Sequence, residues 1–163
     1  MVSDAQQVLD LLESDSEVQI DLRHYAVSIK GRRVRLTPRE MFFYVLCAEL
    51  RGRGDAISLD ELTPRDFANT FTKITAARGE SFGVEEASSY PGFDFLPEML
   101  AQLRGHSTDG WLEFKDKFLV VVARIKAKFS RKGGDDRYII ALRDERGTSR
   151  YGLGVAAERI KFV

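Results

Sequence analysis

The fold is decided by residues 18–50, which read VQIDLRHYAVSIKGRRVRLTPREMFFYVLCAEL. Apolar and polar residues alternate over 18–22, 27–29 and 34–36, as they do in strands that bury one face. Residues 30–33, Lys-Gly-Arg-Arg, supply a turn between the second and third of these segments. The stretch therefore predicts a small antiparallel sheet that leads directly into a helix.

The start of that helix is marked by residues 37–40, Thr-Pro-Arg-Glu, which have the form of a capping box. In this motif the Thr37 hydroxyl accepts a hydrogen bond from the Glu40 amide, and the Glu40 carboxylate accepts one from the Thr37 amide. Pro38 occupies a position whose N–H has no partner inside the helix. Leu36 and Met41 can form a hydrophobic staple across the cap, so we expect a helix that begins at Pro38.

Further helices follow the first. A second Leu-Thr-Pro-Arg copy at 62–65 predicts another helix entry and a helix running toward Ala77. Just before it, Ile57 is expected to add a strand residue, and residues 58–61 have the form of another capping box. Residues 78–110 form an insertion in which a stretch containing glycine, serine and proline leads to a helix over 96–103.

A long basic helix is predicted from about Phe114 to Arg131, followed by a hairpin with strands at 137–142 and 149–153. Apolar residues at helical spacing form a stripe that should pack on the first helix: Phe118, Val121, Val122, Ile125 and Phe129. We expect the remaining face, half small and half basic, to point outward: Val120, Ala123, Arg124, Ala127, Lys128 and Arg131.

This order of elements is typical of a winged helix-turn-helix, in which the last long helix can enter a major groove. The predicted fold class is therefore α+β: a winged helix-turn-helix with an N-terminal β-hairpin or small sheet, a helical insertion before the long basic helix, and a C-terminal β-hairpin wing. We expect a helix or linker over 1–16 and a winged-helix domain over 17–163, with the insertion at about 78–110.

Two families share motifs with this chain. The pattern Val-x-Leu-Thr-x-x-Glu at 34–40 resembles the helix entry of response-regulator winged helices. Residues 21–23, 31–40 and 150–153, together with the ending at 156–160, more closely resemble the C-terminal domain of a CRISPR-associated ring nuclease family. In that family the domain follows a Rossmann-like domain that binds and cleaves cyclic oligoadenylate. The resemblance implies a non-catalytic winged-helix module of a type III CRISPR antiviral defence protein.

Charge is segregated along the chain although the formal net charge is zero. Residues 1–109 carry 12 Lys+Arg against 18 Asp+Glu, and residues 110–163 carry 13 against 7. The net charges of the two parts are therefore −6 and +6. The basic part holds both elements that contact DNA in a winged helix, which keeps nucleic-acid binding open. A basic helix that is only a solvated face remains the alternative.

Four residues are the candidate nucleic-acid contacts: Arg124, Lys128, Arg131 and, at the tip of the wing, Arg146. Binding should be weak and electrostatic, because few of these side chains suit base readout and acidic residues flank Arg146. Expected partners are nucleic acid and either an upstream ring nuclease domain or a second copy in a homodimer. A DNA-binding transcription regulator is the alternative function, and a stand-alone ribonuclease is a more remote one.

Catalytic and metal-binding motifs are missing from the sequence, so we predict no enzymatic activity, no cofactor and no metal. His24 and His106 are isolated from any nucleophile or ligand cluster. The single cysteine, Cys47, lies in an apolar helix segment and is expected to be a small buried hydrophobe. With no apolar run of about 20 residues, a membrane span is not expected, and the predicted location is cytoplasmic.

Overall fold

The computed structural model of the chain describes residues 18–29, 31–50, 57–58, 62–80, 82–105, 108–131, 141–145, 148–152 and 157–163. Within these residues the fold is α+β, with one four-stranded sheet, one three-stranded sheet and several helices. The predicted α+β class is confirmed. The expected helix or linker over 1–16 lies outside the described residues.

The predicted N-terminal sheet is present as three antiparallel strands, β1 (Val18–Asp21), β2 (Ala26–Ile29) and β3 (Arg32–Arg35). Alternate side chains point into the core, including Val18, Ile20, Val27, Ile29 and Val34, all of them buried. The period of two in the sequence is therefore the period of burial, as expected for a sheet with one covered face. Two turn residues, Tyr25 and Gly31, have positive φ.

A fourth strand, β7 (Ile160–Phe162), lies parallel to β1, and the sheet order is β3-β2-β1-β7. The sheet is therefore mixed and not purely antiparallel as predicted. This strand has only three residues, and its pairing with residues 18–20 joins opposite ends of the described chain. Such a short segment carries too little periodicity to identify a strand.

The first helix, α1 (Pro38–Leu50), begins at the predicted residue. The Glu40 amide donates to Thr37 Oγ1 at 3.2 Å, and the Thr37 amide donates to Glu40 Oε1 at 2.8 Å. These two bonds form the predicted capping box. Leu36 and Met41, the proposed staple pair, are both buried.

Helix α1 is the centre of the core, since ten of its thirteen residues are buried. A helix that is apolar on every side must be covered on every side. Its aromatic side chains contact the neighbouring helices edge to face: Phe42 lies 5.3 Å from Phe67, and Phe43 lies 5.4 Å from Phe118. Such pairs add about 0.5–1.5 kcal/mol to the stabilisation from burial.

The second predicted helix entry is also confirmed, by α2 (Pro64–Ala77). The Asp66 amide donates to Thr63 Oγ1 at 3.3 Å, and the Thr63 amide donates to Asp66 Oδ2 at 3.0 Å. The two Leu-Thr-Pro-Arg copies thus start two helices by the same local chemistry.

The insertion contains a 3₁₀-helix (Val84–Ser89) and the predicted helix, here α3 (Leu96–Gly105). It contributes to the core and is not a peripheral loop, because Phe93 is fully buried and lies 5.4 Å from Phe71 and 6.4 Å from Phe42. At Gly92, where φ is +88°, a Cβ atom would lie 2.5 Å from Pro38 Cγ. Only glycine allows this approach of the insertion to the start of α1.

The long helix is α4 (Thr108–Arg131), and it is followed by a hairpin of β5 (Ala141–Glu145) and β6 (Thr148–Gly152). Strand β4 (Ile57–Ser58) pairs with β6, giving the order β4-β6-β5. The predicted hairpin and the strand at Ile57 are confirmed, although the first hairpin strand ends three residues later than predicted and the second begins one residue earlier. Ser58 belongs to β4, and residues 59–61 of its expected capping box lie outside the described chain.

Substitutions of Phe129 and Thr37 should separate core packing from capping. Phe129 is 1% exposed and stacks on Tyr44 at 5.7 Å, so Phe129→Ala should lower the free energy of unfolding by about 3–5 kcal/mol. Thr37→Ala removes one cap and should cost only about 1 kcal/mol. Urea unfolding monitored by circular dichroism measures both values. A larger loss for Thr37→Ala than for Phe129→Ala would contradict this description of the core.

Candidate functional site

Helix α4 begins six residues before the predicted start at Phe114 and ends at the predicted Arg131. Its predicted apolar stripe is confirmed as the inner face: Phe118, Val121, Ile125 and Phe129 are buried, and Val122 is half-buried. Phe114 extends the stripe by one turn and lies 6.0 Å from Phe67 of α2. The inner face thus packs on both α1 and α2, which fixes the direction of the opposite face.

We define the outer face of α4 by the exposed residues opposite this stripe: Leu112, Asp116, Leu119, Val120, Ala123 and Ala127. Leu112 is 53% exposed, Leu119 44% and Val120 48%. Among the residues that the structure describes, the other exposed large hydrophobic side chain is Val163, which lies outside α4 and is 59% exposed. Isolated exposed leucines are ordinary, but here Leu119 and Val120 are neighbours and Leu112 lies two turns earlier on the same side of the helix, beyond Asp116.

Lys128 differs from its expected outward orientation. Its ammonium group donates a hydrogen bond to Glu40 Oε1, and the Glu40 side chain is only 4% exposed. The same oxygen accepts the capping bond from the Thr37 amide. A buried carboxylate needs such partners, because an unpaired charge in the interior is costly. Lys128 therefore links α4 to the start of α1.

The other candidate nucleic-acid contacts fall into two groups. Arg124 and Arg131 are exposed, as predicted, and lie along one edge of the outer face. Arg146 lies outside the described residues, so its place at the tip of the wing stays a prediction. Lys126 is also exposed on α4, at the opposite edge. It is not among the residues predicted to point outward, yet 100° per residue places it beside the outer face.

The first half of the helix carries acidic side chains on its exposed surface. Glu113 and Asp116 are both exposed. Lys117 Nζ lies 3.1 Å from Glu98 Oε1 of α3 and 3.6 Å from Glu113 Oε1. The insertion therefore contacts α4 at the edge near Lys117 and leaves the described outer face exposed. The described part of the insertion therefore does not block groove or protein docking on this face.

His24, one of the two histidines considered for catalysis, lies in the turn between β1 and β2. Its Nδ1 is 2.9 Å from Asp21 Oδ2, and Arg33 Nη2 is 3.3 Å from the same oxygen. Partial burial acts to raise the pKa of Asp21, but hydrogen bonds from His24 and Arg33 outweigh it and hold that pKa below its ordinary value. The arrangement stabilises the turn. His106 lies outside the described residues.

Cys47 is buried in α1, as predicted. Burial raises the pKa of its thiol to about 12, so the thiol stays protonated at neutral pH and is a poor nucleophile. In the described parts of the chain, no cluster of three or more histidine, cysteine, aspartate or glutamate side chains has the geometry of a metal site. None of the described helices combines the length and apolarity needed to cross a membrane.

Comparison with protein-family models, with curated proteins and with solved structures finds no match to this chain. The role of the outer face of α4 is therefore argued from its geometry and chemistry.

The Lys128 to Glu40 bond gives a stability prediction with a control on the same helix. Lys128→Ala leaves the buried Glu40 carboxylate without its ammonium partner and should lower the free energy of unfolding by about 1–3 kcal/mol. Lys126→Ala removes a lysine that is exposed and should change stability by less than about 0.5 kcal/mol. Urea unfolding of both variants checks the difference. Equal effects would show that the bond contributes nothing specific.

Proposed function

We propose that this chain is a non-catalytic winged-helix module that assembles with another protein chain through the outer face of α4 and contacts nucleic acid only weakly. The observation that carries the proposal is the exposure of Leu112, Leu119 and Val120 on one side of α4. Apolar surface of this kind is stabilised when a protein partner removes it from water.

The winged-helix part of the proposal is supported by the order of elements. A small sheet is followed by the capped helix α1, then α2, α3, the long helix α4 and the hairpin of β5 and β6. In winged helices the long helix directly before the hairpin presents one face to a partner. Helix α4 has this position in the chain and an exposed outer face.

A protein partner is favoured over a DNA groove by the chemistry of the outer face. Base readout uses hydrogen-bonding side chains such as Arg, Asn and Gln. The centre of the outer face instead holds Leu119, Val120, Ala123 and Ala127, whose side chains have no donors or acceptors. Lys128, one of the basic residues expected there, is engaged with Glu40. The residues suited to phosphate contact, Arg124 among them, are confined to the edges.

The biological setting that we propose is type III CRISPR defence with cyclic oligoadenylate signalling, in the cytoplasm. It rests on the resemblance of residues 21–23, 31–40 and 150–153 to the C-terminal domain of ring nucleases. Gene neighbourhood tests it: adjacent CRISPR genes, or a ring nuclease domain encoded upstream in the same reading frame, would support this setting. A locus with neither would contradict it.

The second candidate function is a DNA-binding transcription regulator. Two observations favour it: Arg124 and Arg131 are exposed on one edge of α4, and residues 110–163 carry a net charge of +6. Neutral overall charge and the exposed acids Glu113 and Asp116 on the first half of α4 oppose it, because carboxylates repel phosphates.

Fluorescence anisotropy with unrelated DNA duplexes at several salt concentrations distinguishes these candidates. We expect weak binding without sequence preference. Each phosphate contact contributes about 0.9 to the slope of log affinity against log salt, so Arg124→Ala/Arg131→Ala should flatten the slope by about 1.8. Adding Lys128→Ala should change it little, because Lys128 is bonded to Glu40.

Arg23→Ala/Arg65→Ala is the matched control, since both arginines are exposed and lie on other elements. It should leave the slope unchanged. Tight binding to one duplex would favour the regulator and contradict the proposed function. Complete absence of binding at low salt would remove the nucleic-acid part and leave the assembly part.

The non-catalytic part has its own test. We expect the purified chain to leave cyclic oligoadenylate, linear RNA and DNA intact, with or without divalent metal ions, because its sequence has no nucleophile and base motif beyond two isolated histidines. Chromatography of the reaction products measures this. Turnover that disappears in His24→Ala or His106→Ala would overturn the proposal, whereas turnover that survives both would indicate a contaminating nuclease.

A further inference from the structure

We infer that the partner of the outer face is a second copy of this chain, with the two α4 helices packed antiparallel about a two-fold axis near Val120. The inference rests on the proposed assembly function and names its partner. It follows from two separate properties of α4, the arrangement of large and small side chains on its outer face and the distribution of exposed charge along the helix.

The outer face of α4 has the spacing needed for helix pairing. Positions 112, 116, 119, 120, 123 and 127 recur every three or four residues and so lie along one side of the helix. Bulky side chains occupy its first half and middle, at Leu112, Leu119 and Val120, and alanines occupy positions 123 and 127. Reversing a second copy places its leucines against these alanines. Large side chains then meet small ones, which is how packed helices interdigitate.

The exposed charges of α4 are divided near the same midpoint, whereas Lys115 and Lys117, which also precede Val120, are only partly exposed. The exposed acids Glu113 and Asp116 precede Val120, and the exposed bases Arg124, Lys126 and Arg131 follow it. Asp116 and Arg124 each lie four residues from Val120, about 6 Å along the axis. An antiparallel pair centred at Val120 therefore places Asp116 of each copy opposite Arg124 of the other. Glu113 then lies between the levels of the other copy's Arg124 and Arg131.

A parallel pair would not bring these charges together. At 100° per residue, Glu113, Arg124 and Arg131 share one edge of the outer face, and Lys126 lies at the other edge. In antiparallel helix pairs each edge meets the same edge of the partner, whereas in parallel pairs it meets the opposite edge. A parallel arrangement would thus place Arg124 beside Lys126, about 3 Å apart along the axis. Like charges repel there, so the exposed charges favour the antiparallel pair.

Self-complementarity also argues for a second copy over other partners. The exposed acids and the exposed bases lie at opposite ends of one helix face, so each group finds its opposite on an identical chain turned by 180°. This is the property of a two-fold symmetric interface, in which one patch binds itself. A phosphate backbone, being anionic throughout, would be attracted by the exposed bases that follow Val120 and repelled by Glu113 and Asp116.

Sedimentation velocity of the full 163-residue chain tests the inference. One helix face of about 30 Å makes a small interface, so we expect a reversible dimer that appears between about 1 µM and 1 mM. Val120→Glu places one carboxylate from each copy at the two-fold axis, where the two repel each other, and should abolish the dimer. Val163→Glu is the matched control, because Val163 is also an exposed valine, 59% against 48% for Val120, but lies after β7. It should leave dimerisation unchanged.

Charge reversal tests the antiparallel direction. Asp116→Arg and Arg124→Asp should each raise the dimer dissociation constant by about tenfold or more, because each places like charges opposite one another. Asp116→Arg/Arg124→Asp restores opposite charges and should recover most of the lost affinity. All of these sites are exposed, and circular dichroism with thermal melting verifies that each variant is folded.

Three results would overturn the inference. They are a chain that stays monomeric at all concentrations, a dimer that Val120→Glu leaves intact, and a charge-reversed double variant that stays as weak as its parents. Fluorescence anisotropy with DNA distinguishes failure of the inferred dimer from failure of the proposed function. A monomer that binds DNA weakly or not at all refutes the second copy alone, whereas a monomer that binds one duplex tightly refutes the assembly function as well.

Discussion

The arrangement of helices depends on the hydrogen bonds that the buried Glu40 carboxylate accepts. One of its oxygens accepts both the Thr37 amide, which closes the start of α1, and the Lys128 ammonium group, which brings in the end of α4. The carboxylate is almost fully buried, so it is stable only while both partners are present. Because α1 is the centre of the core, a defect at this point affects the cap, the central helix and the exposed helix together.

The same end of α1 also positions the insertion. Gly92 approaches Pro38 so closely that any Cβ would collide with the proline ring, and Phe93, the next residue, is buried against Phe42. The cap of α1 is thus enclosed by the insertion on one side and by Lys128 on another. The insertion completes the covering of a helix that is apolar all round, which explains why residues 82–105 belong to the core despite their irregular sequence.

Local chemistry explains which features the sequence predicted. The capping boxes at Thr37 and Thr63 located two helix starts to the residue, because the partners in each lie three positions apart. The stripe of α4 followed from helical periodicity alone. By contrast, β7 pairs with β1 across the length of the chain, and Lys128 finds its partner 88 residues away. Position 128 lies at the margin of the stripe, where periodicity does not decide between solvent and core.

Helix α4 has two faces with different physical roles. The inner face is held by aromatic contacts to α1 and α2, so changes there alter stability first. The outer face contributes little to folding, because its leucines and valine stay about half exposed in the folded chain. Apolar residues at such positions gain their stabilisation only when a partner covers them. Since Lys128 and the inner stripe hold α4 against the core, the backbone of its outer face is already in place before a partner binds, which lowers the entropic cost of association.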